Sequence, residues 1–233
     1  MSGGITILEK PRVSYCGDHG LLLEAEGDLA LPTQERIWAL NDVVLGWAGV
    51  LDTQPGMNSL LVLIQNDEHD PVEYHDRLLR AWSESQSGRR PSKLLEVGVV
   101  YGGEGGGDLP DVARYHQVDV AEIVQLHSGA EYTIFAPGTG PGFGYLFGLD
   151  PRLFIPRRKV PVMRKVGGTV SIAGAQAILG APKHPNAADT SPTGWHVIGR
   201  AHDVPIPFDI ARDPMSIVSL GDRIRFRVER LDR

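Results

Sequence analysis

Apolar residues come along this chain in short runs, and the period of those runs changes from segment to segment. Residues 12–15 and 21–26 read as two short strands, separated by the turn chemistry of Gly17, Asp18, His19 and Gly20. A helix follows. Pro32 suits its first turn, with Thr33, Gln34 and Glu35 close behind. Ile37, Leu40, Val44 and Trp47 recur at spacings of three and four, which predicts one buried face. Residues 50–53 and 59–65 read as further strands. The unbroken Leu60, Leu61, Val62, Leu63 and Ile64 predicts a central strand covered on both faces. Tyr74, Leu78 and Trp82, four apart, predict a second helix over residues 71–82. This order implies a small α+β unit over residues 1–90, a sheet with two helices on one side.

Residues 83–92 read SESQSGRRPS and form the best linker candidate. Beyond them, a strand over 94–101 runs into GGEGGG at 102–107, a flexible connection on its composition. Two short helices are expected at 109–115 and 120–126, the second capped by Asp119. After a strand at 132–136 come short apolar runs broken by Gly and Pro, clearest at 166–173, 196–200 and 224–228. That spacing predicts a closed or nearly closed β-barrel over residues 91–233.

Composition narrows the classes. Of 233 residues, 42% are hydrophobic and 22% charged, which fits an ordinary globular protein. A net charge of −6 argues against a nucleic-acid partner. Cys16 is the single cysteine, so neither an intrachain disulfide nor a Cys-rich zinc site is expected. The start MSGGITILEKPR lacks the apolar stretch of a signal peptide, and no apolar run reaches the roughly 18 residues of a membrane span. The expectation is a cytoplasmic protein with no membrane partner.

Common catalytic signatures are missing. GGEGGG is not followed by Lys-Ser or Lys-Thr, so it is no Walker-type loop. In PGTGPGFG at 137–144 the dinucleotide fingerprint fails at Phe143, although Gly142 and Gly144 let the backbone approach a ligand closely. Neither H-E-x-x-H nor G-x-S-x-G occurs, and the scattered histidines suggest no metal site. Arg152, Arg157, Arg158, Lys159, Arg164 and Lys165 cluster, as either an anion site or a solvated face. Arg223, Arg225 and Arg227 alternate with Ile224, Phe226 and Val228, as on the outer face of a strand.

Several segments together resemble one family: YGGEGGGDLPDVAR at 101–114, EIVQLHSGAEYTIFAPGTGPGFGYLFGLDPRL at 122–153, IPRRKVP at 155–161, GGTVSIAGAQAILG at 167–180, SPTGWHVIGR at 191–200 and GDRIRFR at 221–227. YCGDHGLLLE at 15–24 and PGMNSLLV at 55–62 fit more loosely. In order and spacing they resemble the family of B-type 5-oxoprolinase subunits, also labelled allophanate hydrolase subunit 1 or KipI. The resemblance implies a cyclophilin-like barrel after a small α+β domain. It also implies a C-type partner subunit, an A-type subunit completing the enzyme, and ATP-dependent opening of the 5-oxoproline lactam to glutamate. ATP, with Mg as counter-ion, is the implied cofactor. Without a Met-Lys-Met site, no biotin is expected on this chain.

Under that resemblance, phosphoryl activation of a lactam needs positive charge and positioning more than a covalent catalyst. Arg157, Arg158 and Arg200 are then the candidate cations for phosphate or substrate carboxylate. His127 is either an acid–base group or a helix-ending residue, and with Arg200 it makes the candidate catalytic pair. Tyr145 is a ligand contact or a core aromatic, Gln176 offers an amide for substrate, and Trp195 suits packing or an interface. The chain departs from the family pattern at GTGPGFGYL, SPTGW and APKHPNAADT, which puts substrate identity in question. Two alternatives follow from the same resemblance: an allophanate hydrolase or urea carboxylase-type amide-processing subunit, and a KipI-like inhibitor of a sensor histidine kinase.

Overall fold

The computed structural model describes residues 7–65, 70–88, 90–138, 140 and 142–232. The chain divides into two compact units, Met1–Arg90 and Pro91–Arg233.

The first unit is a four-stranded antiparallel sheet with two helices. Its strands are β1 (Arg12–Cys16), β2 (Gly20–Glu24), β3 (Val50–Gly56) and β4 (Ser59–Ile64), in the order β1-β2-β4-β3. Helices α1 (Leu31–Val44) and α2 (Pro71–Glu84) pack Ile37, Leu40, Val44, Tyr74, Leu78 and Trp82 against Leu21, Leu23, Leu60, Val62 and Ile64. The expectation of a strand covered on both faces is corrected here. β4 alternates, with Leu61 and Leu63 only half-buried, because the helices lie against one face. α2 is capped by Asp70, whose carboxylate accepts from the Val72 amide at 2.9 Å. Buried Gln34 closes the β3–β4 turn, donating to the Gly56 carbonyl at 2.8 Å and accepting from the Asn58 amide at 2.9 Å.

The second unit is a closed seven-stranded barrel. In chain order come β5 (Leu94–Gly102), α3 (Leu109–His116), α4 (Val120–Ser128), β6 (Glu131–Ala136), β7 (Tyr145–Phe147), β8 (Val162–Lys165), β9 (Thr169–Ala173), β10 (Gln176–Leu179), β11 (Thr190–Thr193), β12 (His196–Arg200) and β13 (Arg223–Asp232). The ring runs β10-β7-β6-β13-β5-β12-β9, while β8 and β11 pair separately as a two-stranded antiparallel sheet. β13 lies parallel to β5 and antiparallel to β6. Val99, Ile134, Leu146, Ile172, Ala177, Ile198, Ile224 and Phe226 belong to the core, joined by Val112 of α3 and Ile123 of α4. The α+β region followed by this barrel matches a cyclophilin-like architecture.

Local chemistry departs from expectation in three places. GGEGGG forms a short 3-10 turn, Glu104–Gly106, with Gly106 buried. Asp119 precedes α4, but its side chain makes no capping bond. β9 starts only at Thr169, after Gly167 and Gly168 with φ of 90° and 62°. Among the described residues, no helix is long and apolar enough to cross a membrane.

Candidate functional site

Strand alternation decides which residues reach the outside of the barrel. In the β7–β10–β9 ladder, Leu146, Ala177 and Ile172 are cross-strand partners and point into the core. Their neighbours Tyr145, Ile178 and Ser171 are likewise partners and form a row on the opposite, outer face. Gln176, two residues before Ile178, shares that face, as does Thr169, two before Ser171.

Two adjoining clefts lie on this face. The first, about 310 Å³, is lined by Arg164, Lys165, Thr169, Ser171, Ile178, Ser191 and Thr193, with the two-stranded β8–β11 sheet as one wall. The second, also about 310 Å³, is lined by Gly142, Gly144, Tyr145, Ile178 and Trp195. They share Ile178 and Ala181. Gly144 has φ 73°, and a β-carbon there would stand 2.4 Å from the Ala136 carbonyl oxygen, so this loop position requires glycine. Tyr145 and Trp195 stack with centroids 6.1 Å apart and 22° between planes. The Arg157 guanidinium lies 4.8 Å from the centre of the Trp195 ring. Among the described residues no carboxylate pairs with exposed Arg157, so it is available to an anion.

Arg158 and Arg164 are committed differently. Both pair with Asp108, which is fully buried. Its carboxylate accepts from Arg158 Nη2 at 2.6 Å, from Arg164 Nε at 3.1 Å and Nη2, and from the Val197 amide at 2.9 Å. Burial opposes its charge, but the Arg164 hydrogen bonds, the Val197 amide and both guanidinium charges hold its carboxyl below the usual range. Arg158 is thus a strut, while Arg164 is held at the wall of the first cleft.

Two further sequence candidates sit away from these clefts. Arg200 donates to the Val166 and Lys165 carbonyls, both at 3.1 Å, and lines a separate cleft of about 270 Å³ with Glu104, His202, Arg230 and Asp232. It braces the 165–166 backbone rather than facing the glycine loop. His127 lies in the core. It is wholly buried, stacks on Phe226 with centroids 4.9 Å apart, and shares a 2.8 Å hydrogen bond with the Tyr101 hydroxyl through Nδ1. Burial pushes its pKa down to about 3, so the ring is neutral. There it meets no solvent, and its ring bonds to the Tyr101 hydroxyl rather than to a last-turn carbonyl of α4.

The structure therefore brings Gly142, Gly144, Tyr145, Arg157 and Gln176 to one face, and separates His127, Arg158 and Arg200 from it. Asp108, Thr169, Ser171 and Trp195 complete the site without having stood out as functional in the sequence. The period-2 alternation of TVSIA was the available signal for Ser171; nothing local marked Asp108. The clefts offer cations, hydroxyls and an aromatic ledge, a donor set suited to phosphate or carboxylate oxygens beside a flat apolar group. Among the described residues no group of three or more His, Cys, Asp or Glu side chains could hold a metal ion.

Residues 11–218 match the family described as carboxyltransferase domain, subdomain C and D. The chain is 36% identical over 219 residues to the B-type subunit of 5-oxoprolinase from Escherichia coli O157:H7, covering 94% of this chain and 96% of that one. Its fold is similar to a crystal structure of TTHA0988, with TM-score 0.70 and 26% identity over 90% of this chain. It spans only 39% of that longer chain. The Kluyveromyces lactis urea carboxylase shares the fold at TM-score 0.66 and 17% identity, with 96% of this chain matching 23% of the enzyme.

Proposed function

This chain belongs to the carboxyltransferase-domain family, subdomain C and D, and from that premise we propose that it is the non-autonomous B-type subunit of an ATP-dependent 5-oxoprolinase. The observation that carries the reading is the near end-to-end similarity to the E. coli protein of that name. A C-type subunit, with an A-type subunit, supplies the rest of the enzyme. The net reaction consumes ATP and water and opens 5-oxoproline to glutamate, releasing ADP and phosphate.

The outer clefts support a place for this chain in that reaction. Bound there, ATP with its magnesium supplies the phosphoryl group that activates an otherwise unreactive lactam carbonyl. Arg157 and Arg164 hold anionic oxygens, and the Thr169 and Ser171 hydroxyls orient them. Tyr145 and Trp195 carry the flat part of the ligand and keep water from it. Asp108 fixes Arg164 so that its charge needs little reorganisation.

The test is reconstitution. The chain is co-expressed with its C-type and A-type partners, and glutamate release from 5-oxoproline is measured with and without ATP. ATP-dependent turnover by the assembled complex, absent from this chain alone, is the expected result. An assembled complex without turnover defeats the proposal. The family description favours a second reading, an amide-processing carboxyltransferase. Activity that depends on biotin or bicarbonate would select it.

A further inference from the structure

The connection between β12 and β13 is organised around one side chain. Arg212 donates from Nη1 to the Ile206 carbonyl at 3.1 Å, and from Nη2 to those of Pro207 at 3.1 Å and Met215 at 2.8 Å. Its Nε reaches the Pro214 carbonyl at 3.3 Å. The Asp209 amide donates to the Met215 carbonyl at 2.9 Å, and Phe208 and Ser216 form an antiparallel bridge. The Asp209 carboxylate accepts from the Ala211 amide at 2.9 Å. A guanidinium surrounded by inward-turned carbonyls makes an ordered loop rather than a loose one.

That ordered loop shows apolar side chains to solvent. Ile206 is 59% exposed, Ile210 82%, Met215 51% and Phe208 36%. Single exposed apolar residues are ordinary, but a group of large ones on one short, internally braced loop marks an interaction surface. Exposed Asp203 precedes it and exposed Asp213 lies within it beside the apolar side chains, while its one arginine is spent on backbone carbonyls.

The loop adjoins the candidate site. Its returning arm, Ser216 and Val218, lines a cleft of about 190 Å³ together with Gly142, Phe143 and Gly144. The same glycine-loop residues line the aromatic cleft. Whatever sits on the loop tip therefore stands beside the wall of the ligand cleft.

We propose that residues 206–215 are the docking element for a separate protein, which presents an apolar seat with a basic rim and completes the cleft at the glycine loop. A separate chain is favoured over a second copy by a solved relative. In TTHA0988 the matched region is 39% of the chain, so in that relative the fold is carried with a longer stretch of other polypeptide. The acidic residues at and beside the loop, Asp203 and Asp213, also disfavour its pairing with a second copy. The proposal rests on the reading of this chain as a subunit that works with a C-type partner.

The test uses the full chain co-expressed with that C-type subunit, with size exclusion and light scattering as readout. Ile210→Asp combined with Met215→Asp alters only exposed side chains, and circular dichroism and the melting temperature verify folding. The expected result is a stable wild-type complex, weakening of at least roughly 100-fold in the double variant, and an intact complex for Val72→Asp, an exposed apolar position on α2. A double variant that still binds normally overturns the docking surface and leaves the subunit reading standing. A wild-type chain that binds no C-type subunit defeats both. Self-association of the wild type, abolished in the double variant, assigns the loop to a second copy and overturns the proposal.

Discussion

Asp108 and Val197 hold each other twice: the Asp108 amide donates to the Val197 carbonyl at 3.0 Å, and the Val197 amide donates to Asp108 Oδ2 at 2.9 Å. The pair ties the start of α3 to β12. The same carboxylate then gathers Arg158 and Arg164. One buried acid thereby sets the position of a barrel strand and of the cation at the wall of the first cleft.

Replacing Asp108 by Ala should cost about 3–5 kcal/mol, because two guanidinium groups lose their buried partner. Urea denaturation measures it. The carboxyl pKa is depressed, so its stabilisation is present above the unfolded value of about 3.9 and is lost as pH falls through the lower folded value. The stability gap between wild type and Asp108→Asn should accordingly narrow below about pH 4. A gap that stays constant in acid would show that the charge is not what matters.

Neighbouring arginines should give opposite phenotypes. Arg157→Ala removes an exposed cation over Trp195 and should leave stability within about 0.5 kcal/mol. In the assembled enzyme it should raise KM for the anionic ligand roughly 10-fold. Arg158→Ala should instead lower stability by about 1–3 kcal/mol, with KM moving little. Thermal melts and steady-state kinetics on both variants decide the matter.

His127 should make the barrel sensitive to mild acid. Its folded pKa of about 3 lies below the ordinary 6.5, so between those values the unfolded chain binds a proton that the folded chain does not. Stability is intact above 6.5 and falls as pH drops, with a slope approaching about 1.4 kcal/mol per pH unit. His127→Gln should remove that slope. An imidazole NMR signal of folded His127 that titrates near 6.5 would contradict the assignment.

Gly106→Ala should destabilise by at least about 1–3 kcal/mol, since its β-carbon would stand 2.3 Å from the Ile198 carbonyl oxygen. Gly107→Ala, whose nearest neighbour is 3.9 Å away, should be close to neutral. Melting temperatures of the two variants supply the comparison.

Much of the fold was legible because it is local. Spacing-four apolar residues announced α2, short apolar runs announced β6 and β12, and alternation announced the buried side of β13. Their separation by Gly and Pro pointed to a barrel. The site was less so. Arginines at 157 and 158 look alike in sequence, yet one faces solvent and the other a buried carboxylate. Asp108 is distinguished by partners 50, 56 and 89 residues away. His127 is flanked by ordinary helix sequence, and its burial comes from Tyr101 and Phe226 on strands far along the chain. Non-local pairing of this kind leaves no local pattern to read.

The parallel pairing of β13 with β5 also sets a schedule for synthesis. On the ribosome, strands β1 to β4 pair only with one another and helices α1 and α2 share their core, so the first unit can form early. The barrel has no such freedom. Until residues 223–232 emerge, β5 and β6 keep an unpaired edge with its row of open backbone groups. Every nascent chain thus passes through an interval with an incomplete ring, in which the unpaired edges of β5 and β6 must be kept from other chains.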